Sequence, residues 1–455
     1  MNDYKMNRNE INLTIGMCII FILRMIGMFM VIPAINTTGI FIEHENKFLI
    51  GCAVGIYGLM QVIFQIPFGL LSEKIGYKKT ILIGLLIFLI GSIVSSCSTS
   101  IYIFIIGRGL QGISAISSVS IAFLASGIRE QNYTKSIACV GASFGISFLI
   151  SILFSPVIIP FLGLRGLFQI IVVLSILSIL IIIYYVFPYY ISHVPRLASY
   201  NSKSILNVLF SYDIFAYILS IFFLHILLTL NFIIIPKKIE FFGYLFCQHW
   251  KIYLIVIIIS LIFSIPIILY SEVQCYIKFL MNIFIVLFII SDSFFYFFEK
   301  DFLIFFIGMQ LFFISFILCE SFLPSLLIKI LPIEYKSIIM SFYSTSQFLG
   351  IAFGGILGGF FYKIFNLSAV CLFGIFTAII WLLIFIFISP PIYIVSFSIN
   401  MNNNFIYSTE IQKKIHLLPG ILFVQYNYEL NTLSFKIDSK KINRKKVKDF
   451  LKNNF

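Results

Sequence analysis

Twelve runs of predominantly apolar residues succeed one another along the 455-residue chain. They lie near 13–35, 48–71, 80–98, 101–125, 137–161, 165–188, 213–236, 251–270, 278–298, 302–328, 338–362 and 366–389. Each is close to the roughly 20 residues that an α-helix needs to cross the hydrocarbon core of a bilayer. Lipid offers no hydrogen-bond partners, so a crossing backbone must satisfy itself within its own segment, as a helix does. The expected fold class is therefore an all-α polytopic membrane protein. Composition agrees: 60% of the residues are hydrophobic and 11% charged, against about 45–50% and about 25% in a soluble chain. The N-terminal "MNDYKMNRNEINLT" is polar, and the run after it is too long for the apolar part of a cleavable signal peptide.

A longer polar stretch, 189–212, separates six spans from six. The expected organisation is an N-terminal six-helix half (1–188), a cytoplasmic linker (189–212), a C-terminal six-helix half (213–389) and a small domain (390–455). With the N-terminus inside, the inner segments hold 12 Lys/Arg and the outer loops 7, as the positive-inside rule requires. The loop "IPKKIEFF" (235–242) runs against this by placing two lysines outside. The halves also carry a faint repeat, in which "LSEKIGYKKTIL" (71–82) aligns with "YSEVQCYIKFLM" (270–281). Paired halves of this kind point to a transporter, with its substrate held between them near the bilayer midplane.

Eight cysteines are scattered without a C-x-x-C pair, and no histidine cluster accompanies them. They read as small core hydrophobes rather than disulfide or metal partners, and no cofactor is expected beyond a proton gradient. Nothing pairs a nucleophile with a base or forms a phosphate-binding loop, so an enzyme is not expected.

The stretch "GLLSEKIGYKKT" (69–80) interrupts two apolar runs with an acid, three lysines and two glycines. Gly69 and Gly76 permit close approach and a tight turn. Glu73 precedes the start of the third span, where a helix favours an anion. Lys74, Lys78 and Lys79 would face an anionic inner leaflet. A solvated positive-inside loop is the plainer account of the same residues.

"GLLSEKIGYKK" resembles the signature loop of the major facilitator superfamily, and "IIGRGLQGISAI" (105–116) is similar to the fourth-span motif of its drug:proton antiporters, with Arg108, Gln111 and Gly112 on the pattern. The resemblance extends over nearly the whole chain, including "LRMIGMFMVIP" (23–33), "YSTSQFLGIAFGGILGG" (343–359) and the tail "FKIDSKKINRKKVKDFL" (435–451). It implies the twelve-helix 6+6 fold, a terminal cytoplasmic domain and alternating access. It makes Gly69, Glu73, Gly76, Tyr77 and Lys78 a gating loop and gives Arg108 a part in proton coupling. The chain departs from the pattern at three places. Glu73 replaces the usual Asp, Tyr77 the usual Arg, and Ser126 an acid expected at the end of span four. Ser155-Pro156 likewise stands where the antiporter motif of span five has Gly-Pro. The latch is expected to be weakened.

A charge inside a span costs about 2.5–3.5 kcal/mol on insertion scales, so each needs a reason. Glu320 in span ten is the best proton carrier on chemistry, or else an inner-cavity carboxylate paired with Lys329 or Arg24. His225 in span seven could titrate near neutral pH or be a satisfied buried imidazole. Arg24, like Gln111, is expected at the central cavity, or Arg24 pairs with an acid. Asp292 lies near the outer end of span nine and is set aside. The glycines Gly141, Gly145, Gly350, Gly354 and Gly358 are expected at close helix contacts.

After Pro390-Pro391 the periodicity changes. "IYIVSFSI" (392–399) alternates as a strand, 408–418 and 443–455 read as helices, and 420–438 as a hairpin. The order β-α-β-β-α is that of a ferredoxin-like unit. Its surplus of six positive charges suits anionic lipid, an acidic partner or self-association, or is a solvated face; nucleic acid is not expected. The function expected is proton-coupled efflux of an amphipathic or hydrophobic small molecule across an inner membrane. An uncoupled facilitator and a transporter-derived sensor are the alternatives.

Overall fold

The computed structural model describes residues 6–31, 47–128, 130–189, 202–271, 277–331, 335–388, 394–400, 421–427 and 432–438. Met1–Ile388 and Ser389–Phe455 form two separate compact units. Within the first, eleven helices among the described residues are long and apolar enough to cross a membrane.

Span one is Arg8–Phe29, span two Lys47–Ile75 and span three Tyr77–Ser96. Spans seven to twelve are Tyr212–Phe241, His249–Ser271, Ile277–Phe297, Phe302–Ile330, Lys336–Phe365 and Leu367–Ile386. A short helix, Ser202–Leu209, precedes span seven. Spans five and six, expected as separate helices, form one continuous stretch, Glu130–Ile181, broken only at Gly163 (φ 65°). At 1.5 Å per residue such a stretch would reach roughly 78 Å if straight, more than twice the roughly 30 Å apolar thickness. It therefore holds two crossings, hinged at a backbone conformation that glycine adopts without strain. Span six runs on through a π-helical turn, Ile182–Val186, to Tyr189.

Span four also differs from expectation. It is two helices, Ile101–Ile113 and Ser117–Gly127, with Ser114–Ile116 unwound between them. A break inside a membrane leaves carbonyls and amides that need new partners; the Ala115 and Ile116 amides donate to the Ile113 and Ser114 carbonyls, and Arg24 serves the acceptors. Its guanidinium donates to the Ser114 carbonyl and hydroxyl and to the Ser117 hydroxyl.

Spans one and five are stitched by a serine every fourth residue. Ser147 and Ser151 share their hydroxyl protons between their own helix and the carbonyls of Ile22 and Ile26. Ser155 donates to the Met30 carbonyl at 2.9 Å. The serine that replaces a motif glycine at 155 thus serves as a cross-link. The two lysines of "IPKKIEFF" lie on span seven rather than in a loop. Lys237 pairs with Glu240 at 3.0 Å, and Lys238 is buried.

The second unit contains β1 (Ile394–Asn400), β2 (Ile421–Asn427) and β3 (Thr432–Asp438) in an antiparallel sheet of order β1-β3-β2. Phe397 stands opposite Phe435, and Val424 also faces Phe435. The two helices expected there, 408–418 and 443–455, lie outside the described residues.

Candidate substrate cavity and its ionisable groups

A cavity of about 440 Å³ lies between the two six-span halves. Its walls come from the starts of spans five and eleven and the ends of spans eight and ten, with Phe21 of span one and Ile121 of span four. All of this lies toward the end of the bundle where odd-numbered spans begin. Most of the wall is Ile, Leu, Val, Phe and Gly. Phe148 lines the space. Its ring packs on Phe316 at 4.8 Å, Phe29 at 5.4 Å, Phe232 at 5.7 Å and Phe313 at 6.5 Å, so four spans meet on one aromatic ring.

Toward the opposite end, spans two and eleven touch backbone to backbone. A Cβ built on Gly51 would fall 2.8 Å from the Cα of Gly359, and one on Gly55 would fall 2.8 Å from the Ala352 carbonyl. No side chain fits there, so the two helices meet in direct backbone contact. The other face of span eleven meets span seven. A Cβ on Gly350 would approach His225 Cβ at 3.1 Å, one on Gly354 would meet Ile226 at 2.9 Å, and one on Gly358 would meet Ile233 at 2.7 Å.

Gly141 and Gly145 are corrected by the structure. A Cβ at either has nothing within 4 Å, and both line the cavity. Their lack of a side chain leaves cavity space open rather than letting a helix approach. Gly69 likewise has open space around it. Gly76 has φ 87° and starts span three, so it is a turn glycine. Of the rest of the loop, Tyr77 packs half-buried on the core, and Lys78 donates to the Phe187 carbonyl at 3.3 Å, its ammonium 5.1 Å from that ring. The loop therefore holds the end of span six. Glu73 lies in span two, and its side chain is outside the described residues.

Four polar side chains gather at the cavity wall. His225 Nδ1 lies 3.1 Å from the Ile221 carbonyl, which fixes its hydrogen there. In the neutral ring Nε2 is then an acceptor, and it receives the Gln347 amide at 2.8 Å. Glu320 Oε2 stands 4.0 Å from the same Nε2. The exposures of the two side chains, 1% for His225 and 15% for Glu320, put the carboxylate on the cavity side and the imidazole behind it. Glu320 Oε2 and the Tyr343 hydroxyl are buried without hydrogen-bond partners, and both residues line the cavity.

Arg24, Arg108 and Gln111 are not part of this group. Arg24 braces the break in span four, and among the described residues it neither lines the cavity nor pairs with an acid. Arg108 donates to Gln111 Oε1 at 2.7 Å and to the Ala53 carbonyl, and lies 4.8 Å from the Tyr57 ring centre. Gln111 passes the chain on to the Ser92 hydroxyl at 2.8 Å. The antiporter-like motif is a buried polar brace inside the first half. Asp292, set aside from its position near the end of a span, is fully buried.

Two six-span halves around a central cavity are a transporter architecture, and residues 17–323 match the Major Facilitator Superfamily. The chain belongs to this superfamily. It is similar to the inner membrane transport protein YajR of Escherichia coli (strain K12), 38% identical over 453 residues, which cover 99% of this chain and 100% of that one. An uncharacterized transporter of Buchnera aphidicola subsp. Acyrthosiphon pisum (strain APS) is 43% identical over 353 residues, 77% of this chain and 90% of its own. In fold, the crystal structure of a D-xylose–proton symporter superposes with a TM-score of 0.64 at 14% identity, covering 82% of this chain and 97% of that one. The chain is a multi-pass membrane transporter and not an enzyme.

Proposed function

We propose that the protein is a proton-coupled secondary transporter that exports an amphipathic or hydrophobic small molecule across an inner membrane by alternating access. One observation carries the reading: an ionisable carboxyl with an unpartnered oxygen stands in the wall of a mostly apolar cavity between the halves, with a histidine behind it. An apolar wall with a few convergent polar groups suits a ligand of mixed character. A carboxyl in such a wall is neutral when the space is dry and ionises when water or a cationic ligand enters, so its proton and the ligand compete for one place.

Glu320 is the proton carrier in this account. His225 is its exchange partner, Gln347 holds the imidazole, and Tyr343 offers the ligand a hydroxyl. Arg108 acts at a distance, by keeping the first half rigid through Gln111. With both termini cytoplasmic, the cavity belongs to the cytoplasmic side and the contact of spans two and eleven to the periplasmic side. The conformation is then inward-facing. The three-stranded sheet is the framework of a cytoplasmic ferredoxin-like domain, whose basic surface would meet anionic lipid, an acidic protein or a second copy.

An uncoupled facilitator is favoured by Tyr77 and Ser126, which remove two charges from the gating latch. Purified protein in liposomes under an imposed pH gradient, offered lipophilic cations and neutral drugs, decides between the readings. Proton-driven accumulation supports the antiporter. Equilibration without proton movement supports the facilitator, and binding without flux supports a sensor.

A further inference from the structure

Asp292 of span nine is fully buried, as is Asn231 of span seven. The Asn231 amide nitrogen donates to Asp292 Oδ1 at 3.0 Å. Asp292 Oδ2 and Asn231 Oδ1 are each left buried without a partner. The open space has been removed from the third side as well, since a Cβ on Gly374 of span twelve would collide with Oδ2. Among the described residues, Asp292 forms no ion pair with Lys or Arg. The site is not part of the cavity wall.

Two buried acceptors left over by one amide–carboxyl hydrogen bond are a specific chemical pattern. A carboxylic acid and a primary amide pair through two hydrogen bonds, N–H to one carboxyl oxygen and O–H to the amide oxygen. The first is present. The second needs a proton on Oδ2, and it would satisfy both orphan oxygens at once. An ionised Asp292 would instead leave a bare charge and a bare amide oxygen in a dry helix junction, which is costly.

We infer that Asp292 is a second proton-binding site, protonated in this conformation and sharing its proton with the Asn231 side-chain oxygen. It holds spans seven, nine and twelve of the second half together, apart from the cavity carboxyl Glu320. Loading it takes one proton from water and forms one O–H bond. The titratable or charged groups on the packed elements are Tyr212, Asp213, Tyr217, His225, Lys237, Lys238 and Glu240 on span seven, and Lys278 and Tyr296, with the nearby Glu299 and Lys300, at the ends of span nine. Span ten adds Cys319, Glu320 and Lys329, and span twelve Cys371. Cys371 is a buried thiol and supplies no counter-charge.

The test is infrared spectroscopy of the full-length protein at neutral pH in a Glu320→Gln background, which removes the cavity carboxyl. A protonated-carboxyl C=O band is expected, absent after Asp292→Asn and shifted after Asn231→Leu, which removes both partners. A spectrum unchanged by Asp292→Asn would show that Asp292 is ionised and overturn the inference. If Asp292→Asn fails to fold, the Asn231→Leu shift decides, and an unmoved band overturns the shared proton. Thermal unfolding in sodium against choline chloride checks for a metal ion in the same space. A sodium requirement that Asn231→Leu abolishes would replace the proton with that cation and equally overturn it.

Discussion

Nε2 of His225 stands 4.0 Å from Oε2 of Glu320, yet the lone pair on that nitrogen is occupied by the Gln347 amide at 2.8 Å. A proton cannot settle on the imidazole until Gln347 turns its oxygen toward the ring or leaves. Gln347 is thus a valve between the two titratable groups. Gln347→Leu, which frees that lone pair, is expected to leave folding intact and to speed proton-driven transport about tenfold, equivalent to about 1.4 kcal/mol. Gln347→Glu, which keeps an acceptor for a protonated ring, should favour the charged imidazole and displace the pH optimum upward. Transport rate against pH in liposomes checks both.

The glycines of span five and span eleven should respond oppositely to alanine. Gly141→Ala and Gly145→Ala place a methyl group in open space, and replacing a helical glycine gains roughly 0.5–1 kcal/mol. Gly354→Ala drives a methyl group onto Thr229 and Ile226, with an overpacking cost of about 1–3 kcal/mol. Thermal unfolding in detergent should therefore rise for the first two and fall for the third. Gly145→Leu should fold normally while reducing ligand affinity at least about tenfold, because its side chain enters the cavity.

The contact of spans two and eleven gives a conformational prediction. Gly51→Val wedges the backbones apart near Gly355 and Gly359 and penalises the conformation in which that end is shut. Cys52, the next residue and half-buried, should then react several-fold faster with a membrane-impermeant maleimide in a protein where it is the sole cysteine. An unchanged rate would mean that this contact does not close the pathway.

Arg24 makes a further case. Its planar guanidinium reaches both Ser114 and Ser117, a fork that a lysine cannot reproduce. Arg24→Lys is expected to lower stability by about 1–3 kcal/mol, the cost of leaving a buried acceptor unpaired, with ligand affinity little changed. A large affinity loss at unchanged stability would return Arg24 to the cavity.

The spans were legible because lipid forces each crossing to be a long apolar helix, and that requirement is written in local composition. The break in span four was not, since Ser114–Ile116 carries no proline and its stability comes from Arg24, 90 residues away. Glu320 and His225 stood out as charges in apolar runs, but their meeting depends on how spans seven and ten pack. Gln347 and Tyr343 lay in a quoted stretch, "YSTSQFLG", without a signal to separate them from their neighbours. The serine period 143, 147, 151 and 155 was present and could have been found by counting polar residues at helical spacing. Asp292 was misjudged because distance along a span measures depth in the bilayer, whereas burial is set by neighbouring helices. The glycines show the same limit. Small residues mark close approach or open space alike, and the sequence pattern is identical in both cases.

The central claim is that Glu320 carries the coupled proton. The most direct measurement is proton flux in liposomes containing the wild-type protein or Glu320→Gln, with an imposed pH gradient and a transported lipophilic ligand. The account predicts ligand-dependent proton movement in the wild type and its loss, at least about a hundredfold, in Glu320→Gln, with ligand binding retained. Proton movement of equal size in both proteins would contradict it.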